Sequence, residues 1–263
     1  MARLRPWFLG LVAAAVATAA APAAAPTASA APQRVHALVV ADTLDPNIGD
    51  STAVDRDNIK YLLTSGIPAS RLSLTVLDGS NVTRAQVLGA IQRLNVQPYD
   101  TVFVWFSGHG GTDPTYGHAL AMTGVKSFLY RSELLAAVSR KRPRLTVVMT
   151  DCCANMVRLQ AMAESMKLDL RPVMQRLLLK HSGLVDWNGC TRGEQAAGTS
   201  ALGGLFTHSF EQVVLDLAYR RTTASWGQLF PMVVRETQKS AREQTVAQTP
   251  QTMTSLYRVR ADR

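Results

Sequence analysis

Short apolar runs recur along the chain, separated by amphipathic stretches with a helical period. The runs are Arg34–Ala41 (RVHALVVA), Leu72–Leu77, Thr101–Phe106 (TVFVWF), Leu145–Thr150 (LTVVMT) and Leu184–Trp187, with a shorter one at His118–Thr123 and a last at Met253–Val259. Near-continuous apolarity marks a strand covered on both faces, the pattern of a parallel sheet. Between the runs, Val54–Leu63 sets Ile59, Leu62 and Leu63 on one helical face and stops at Ser65-Gly66. Thr83 and Gln86 form a capping box ahead of a stripe of Val87, Leu88, Ile91 and Leu94. A helix from Ser132 turns Leu134, Leu135 and Val138 inward, and one opening at Gly203–Phe206 does the same with Phe210, Val213, Val214 and Leu217. Ser225 caps another helix, whose start the pattern leaves open between Trp226 and Pro231. Strands alternating with helices predict an α/β domain, a mostly parallel sheet flanked by helices.

Two segments depart from this alternation. Arg3 and Arg5 precede an apolar, Ala-rich stretch from Trp7 to about Ala21, and Ala28-Ser29-Ala30 offers a cleavage pattern. Residues 1–30 therefore read as a secretory signal peptide and 31–34 as a short leader, which predicts a secreted or periplasmic protein. The other reading of that stretch is a retained N-terminal anchor. No later segment is long and apolar enough to span a bilayer, so no stable membrane insertion is expected after signal removal. The second segment, Met156–Lys180, is rich in Met, Leu and Arg and reads as one or two helices broken near Arg171-Pro172. It predicts a helical insertion around 156–182 within a domain spanning 35–263.

The net charge is +9, spread along the chain, with Arg140–Arg144 as the one compact basic run. Such a run suits a helix C-terminus. No aromatic residues interleave with it, which argues against nucleic-acid binding. Three cysteines, two of them adjacent, do not make a disulfide framework. Either a thiol is kept for chemistry, or Cys152 or Cys153 pairs with Cys190. No acidic run resembles a Ca²⁺ loop, and no Cys or His pair has zinc-ligand spacing, so no metal or cofactor is expected.

Two of the apolar runs end in reactive side chains. Thr101–Phe106 leads into Ser107-Gly108-His109-Gly110-Gly111, and Leu145–Thr150 into Asp151-Cys152-Cys153. The carboxyl ends of strands are where open α/β sheets gather ligands and catalytic groups. A thiol is mostly protonated at neutral pH and needs a neighbouring base, a role His109 can fill before protonating the leaving amine. Glycines beside it admit a substrate backbone, and backbone N–H groups can stabilise an oxyanion.

Phe106-Ser107-Gly108-His109-Gly110 followed by Asp151-Cys152-Cys153 resembles the caspase and metacaspase group of cysteine peptidases, whose His also precedes the nucleophile by roughly fifty residues. Gly203–Thr207 before a helix and Gln248-Thr249-Pro250-Gln251 before the last strand extend the resemblance over about Val35 to Val259. It implies a caspase-like three-layer sandwich with a mostly parallel six-stranded sheet. Through the D-x-C motif it implies Cys153 as nucleophile, His109 as base, and the amides of Gly110 and Cys153 as oxyanion donors. From the metacaspase branch it implies a pocket of Asp55, Ser107 and Asp151 for an Arg or Lys side chain of a peptide or protein substrate. Asp55 and Asp151 as plain caps of a helix and a strand end is the competing reading. Cys152 then reads as a small buried residue, His118 as a strand residue without a role, and Cys190 as a strand-end residue bordering the pocket. Metacaspases continue their motif with His-Ser-Gly where this chain has Ala154-Asn155-Met156. The expected function is an exported cysteine endopeptidase; the alternative is an inactive caspase-like domain that binds peptides or partners.

Overall fold

The structure, a computed structural model, describes residues 33–125, 127–152, 154–156, 168–191, 193–253 and 260–261. The expected signal peptide, Cys153, positions 157–167 of the expected insertion and 254–259 of the expected last strand lie outside them. In chain order come β1 (Val35–Ala41), α1 (Gly49–Gly66), β2 (Leu72–Asp78), α2 (Arg84–Arg93) and β3 (Thr101–Gly108). There follow β4 (Gly110–Asp113), β5 (Gly117–Ala121), β6 (Phe128–Tyr130), α3 (Arg131–Ser139) and β7 (Leu145–Cys152). The rest comprises β8 (Ala154–Met156), α4 (Arg171–Leu179), β9 (His181–Asn188), β10 (Ala196–Thr199), β11 (Gly203–Gly204), α5 (Leu205–Tyr219), α6 (Trp226–Glu243), β12 (Gln251–Thr252) and β13 (Arg260–Ala261).

The main sheet runs β12-β9-β7-β3-β1-β2. The four pairs from β9 to β2 are all parallel, while β12 and β13 pair antiparallel with β9. This is the mostly parallel six-stranded sheet expected. Side chains alternate between the two faces by parity along each strand. Val39, Trp105, Met149 and Val185 face one core with Ile59 and Leu62 of α1, Leu177 of α4 and Phe210 of α5. Val40, Val104, Phe106 and Val148 face the other, with Val87 and Ile91 of α2 and Leu134 and Val138 of α3. Both faces are covered, which is why β1, β3 and β7 are buried along their whole length.

On the first face, Trp105 stacks on Phe206 (ring centroids 5.7 Å apart) and packs against Phe210 at 5.5 Å. Phe210 stacks in turn on Trp226, whose ring meets Trp187 edge-on at 5.2 Å. These rings supply large buried areas with favoured stacked and edge geometries.

Several elements differ from the sequence expectation. Helix α1 starts at Gly49 rather than Val54, because its first turn is buried yet built of small polar residues that carry no apolar period. The His118–Thr123 run forms β5, in a small antiparallel β4-β5-β6 sheet beside the end of β3. Helix α6 starts at Trp226, with Ser225 accepting from the Gln228 N–H, and accommodates Pro231 within it. Arg171-Pro172 opens a helix, α4, with the proline in its first turn, where its missing N–H costs nothing. Strands β8, β10 and β11 form a further three-stranded sheet without any sequence signal, being short and rich in Gly and Ala.

Candidate active site

Strands β3 and β7 are adjacent and parallel, in a register that aligns Ser107 with Asp151 and Gly108 with Cys152. The two motif-bearing runs therefore finish side by side at the carboxyl edge of the sheet. Strand parity sends Ser107 and Asp151 to the α1 face and Cys152 to the opposite one.

On the α1 face the three expected pocket residues come together. The Ser107 hydroxyl donates to Asp55 Oδ2 at 2.5 Å, and the Gly204 N–H to Asp55 Oδ1 at 2.8 Å. Asp151 Oδ2 accepts from the Thr207 N–H at 2.8 Å and its hydroxyl at 2.9 Å. All are buried. Asp151 thus caps the first turn of α5, so the capping reading and the pocket reading describe the same atoms. Burial pushes the Asp55 carboxyl well above the usual carboxylate range, the charge of Asp151 adds to the rise, and the bonds from Ser107 and Gly204 oppose it. A Cβ at Gly204 would collide with the Asp151 carboxylate, so only glycine fits between the two acids. The space they line with Ser51, Ser107 and Gly198 is small, about 10 Å³.

The opposite face holds a polar cluster that the sequence did not announce. The fully buried Cys152 thiol donates to Asn188 Oδ1 at 3.2 Å and sits 3.5 Å from His118 Nε2. Arg131, at the start of α3, donates to Asp186 Oδ1 (2.7 Å), Thr150 Oγ1 (2.7 Å) and the Trp187 carbonyl (2.6 Å), and lies 3.3 Å from His118 Nδ1. A guanidinium can only donate, so Nδ1 of His118 accepts and Nε2 carries the proton. His118 therefore presents an N–H to the Cys152 sulfur and is not placed to take its proton. Gly110 closes over the thiol, its position leaving a Cβ only 2.9 Å from the sulfur. Cys152 is buried, as the sequence suggested.

His109 follows β3 directly, with 29 % of its side chain exposed, and its Nε2 lies 3.1 Å from Asp45 Oδ2. Gly110 opens β4 beside it. Asp45 belongs to the turn after β1, together with Asp42, whose carboxyl is raised chiefly by burial while a bond from the Thr123 hydroxyl opposes the rise. Cys190, just past β9, is buried and borders a cavity of about 540 Å³ with His118, Asn188 and Glu194. Among the described residues no group of three or more His, Cys, Asp or Glu is placed to hold a metal ion, and no helix is long and apolar enough to cross a membrane.

The sequence signals named Asp55, Ser107, Asp151, His109 and Gly110, and the structure brings them to one sheet edge. They missed Asp45, Asn188, Arg131 and Thr207. The Asp45-Pro46-Asn47 turn directly after the first strand was the available signal for Asp45.

A mostly parallel sheet with this edge defines a caspase-like α/β protein. The family profile described as the caspase domain matches residues 36–259, and the chain belongs to that family. Membership points to cysteine-peptidase chemistry in general. Among solved structures, protein GSU0716 from Geobacter sulfurreducens is similar at 18 % identity, covering 83 % of this chain and 92 % of that one with a TM-score of 0.52. Caspase-1 from Spodoptera frugiperda is similar at 16 % identity, covering 86 % and 88 %, also with a TM-score of 0.52. At these identities both likenesses speak to the fold. A comparison with curated proteins finds no match.

Proposed function

We propose that the protein is an exported cysteine endopeptidase that cleaves peptide bonds after Arg or Lys. The observation that carries this reading is the β3–β7 register, because its last pair, Gly108 and Cys152, comes immediately before His109 and Cys153 in the sequence. The Cys153 thiolate attacks the scissile carbonyl after its proton passes to His109, and the amides of Gly110 and Cys153 stabilise the oxyanion. His109 then protonates the departing amine, leaving a thioester on Cys153 that water resolves. Transfer to an amine instead of water would make the same chain a transpeptidase, from the same intermediate. No metal or cofactor enters this scheme.

Asp151, together with Asp55 once an entering cation lowers its raised carboxyl, recruits a cationic P1 side chain, with charge-assisted hydrogen bonds worth about 1.5–3 kcal/mol. Arg does at least as well as Lys, since its planar fork can engage a carboxylate twice. Entry of so long a side chain requires the Gly203–Thr207 segment to move, because the acids enclose only about 10 Å³ and are bonded to Gly204 and Thr207. That closure is also the observation favouring the second reading, a non-catalytic domain of the same fold.

Profiling the purified chain on a peptide library beside Cys153→Ala decides between them. Cleavage after Arg or Lys that vanishes in Cys153→Ala is expected. Cleavage after Asp would remove the acidic-pocket reading and keep the nucleophile; no cleavage under any condition would favour the binding domain.

A further inference from the structure

Asp45 lies outside every motif that marked the site, and its two oxygens have separate tasks. Oδ1 accepts the backbone N–H groups of Asn47 (2.9 Å) and Ile48 (3.1 Å), and the Asp45 carbonyl accepts the Gly49 N–H at 2.8 Å. These bonds build the turn that starts α1 and fix the carboxylate. Oδ2 is thereby aimed at His109 Nε2, 3.1 Å away, from a side chain only 8 % exposed. The neighbouring acid, Asp42, accepts the Thr123 hydroxyl at 2.7 Å through Oδ1 and acts on His109 by charge alone, whereas Asp45 is hydrogen-bonded to it.

A carboxylate can only accept, so the ring nitrogen facing it carries the hydrogen. Neutral imidazole has one N–H, which leaves Nδ1 as the acceptor. We propose that Asp45 is a positioning residue for the reaction read above, holding His109 in the tautomer whose Nδ1 can take the thiol proton. The inference rests on the His109/Cys153 reading of function. As the S–C bond forms, the thiol proton moves to Nδ1 while Nε2–H stays on Asp45, which stabilises the imidazolium without becoming protonated. As the C–N bond breaks, the Nδ1 proton leaves with the amine.

The competing role is that of a helix-start residue alone, and Asp45→Asn separates the two. The amide oxygen of Asn keeps the turn, since Asn serves such positions as well as Asp. Its NH₂ group, however, would face Nε2–H donor to donor, driving the ring to the Nδ1–H tautomer with the wrong nitrogen protonated. The equivalent change in a Ser-His-Asp triad lowers kcat about 10⁴-fold. Asp45→Asn should lower kcat on a P1-Arg peptide by at least ~100-fold, with KM within about threefold and an unchanged melting temperature. In the Cys153→Ala protein, which needs no turnover, ¹⁵N NMR of His109 should show the Nε2–H tautomer, and adding Asp45→Asn should convert it to Nδ1–H. An Nδ1–H tautomer with Asp45 intact, or an Asp45→Asn enzyme retaining kcat within twofold, would overturn the assignment while leaving the peptidase standing. Loss of hydrolysis as a Cys153-dependent property would instead remove the peptidase reading, and the tautomer would still decide what Asp45 does to the ring.

Discussion

The Cys152 sulfur lies 3.5 Å from Nε2 of His118, a residue of the β4–β5 hairpin that follows His109, and both groups are buried. The proximity imitates a nucleophile and its base, but the Arg131 guanidinium at Nδ1 fixes His118 as a donor to the sulfur. Cys152→Ala should therefore keep at least half of the hydrolysis and lose about 1 kcal/mol of stability, roughly 2–4 °C in a domain of this size. Cys153→Ala and His109→Ala should each abolish hydrolysis and leave the fold intact. Brief treatment of the native protein with iodoacetamide, followed by peptide mapping, should label Cys153 ahead of Cys152. Label on Cys152, with Cys152→Ala inactive, would mean that the motif register is wrong by one residue.

Arg131 ties the ends of β7 and β9 to α3 through Thr150, Trp187 and Asp186. Removing one member of a buried ion pair strands the other charge. Arg131→Met should cost about 3–5 kcal/mol by urea unfolding, while Arg131→Met with Asp186→Leu should recover most of it. Equal destabilisation in the double variant would show that packing, rather than the stranded carboxylate, sets the cost.

Two acids make stability fall as pH rises. Burial raises Glu211 on α5 to about 7 from an ordinary 4.5, and raises Asp55 well above its usual range. Their neutral forms are favoured in the folded state, so the stability they contribute is complete below the unfolded-state value. It is lost, for Glu211, as pH climbs through about 4.5 to 7. At 1.36 kcal/mol per unit, Glu211 accounts for at most about 3 kcal/mol. Melting curves should show Glu211→Gln more stable than the parent at pH 8 and indistinguishable at pH 4. Asp55→Asn should also stabilise at pH 8, yet lower kcat/KM for P1-Arg peptides roughly tenfold or more. A variant that gained stability without losing Arg selectivity would place P1 recognition elsewhere.

Processing supplies a separate check on the N-terminal segment. Intact mass of protein recovered after export should correspond to a chain starting near Ala31. A mass that retains Arg3 and Arg5 would identify residues 1–30 as a retained anchor.

The strands were legible because β1, β3 and β7 are buried on both faces, so their apolarity is uninterrupted and each run ends where the sheet edge begins. Asp55 was legible only through resemblance: it lies in a helix whose polar first turn hides its own start, and its partners, Gly204 and Asp151, come from distant segments. Arg131 and Asp186 could not be paired from sequence, since each sits at the border of an apolar element and only the β7–β9 register and the start of α3 bring them together. The Asn188 contact to Cys152 depends on the same register. Local period reveals the elements; long-range register assembles the polar cluster, and single-residue chemistry carries no record of it.

The stacked rings beneath α5 give the acidic pocket an optical reporter of its own. Phe206 is the second residue of α5, between Gly204 and Thr207 that bind the two acids, and its ring lies against Trp105 at 5.7 Å. Any shift of that segment to admit a side chain should alter the surroundings of the Trp105 indole. If the two acids take a side chain as proposed, tryptophan emission and near-ultraviolet circular dichroism of the unlabelled chain should follow that occupancy in real time and without turnover.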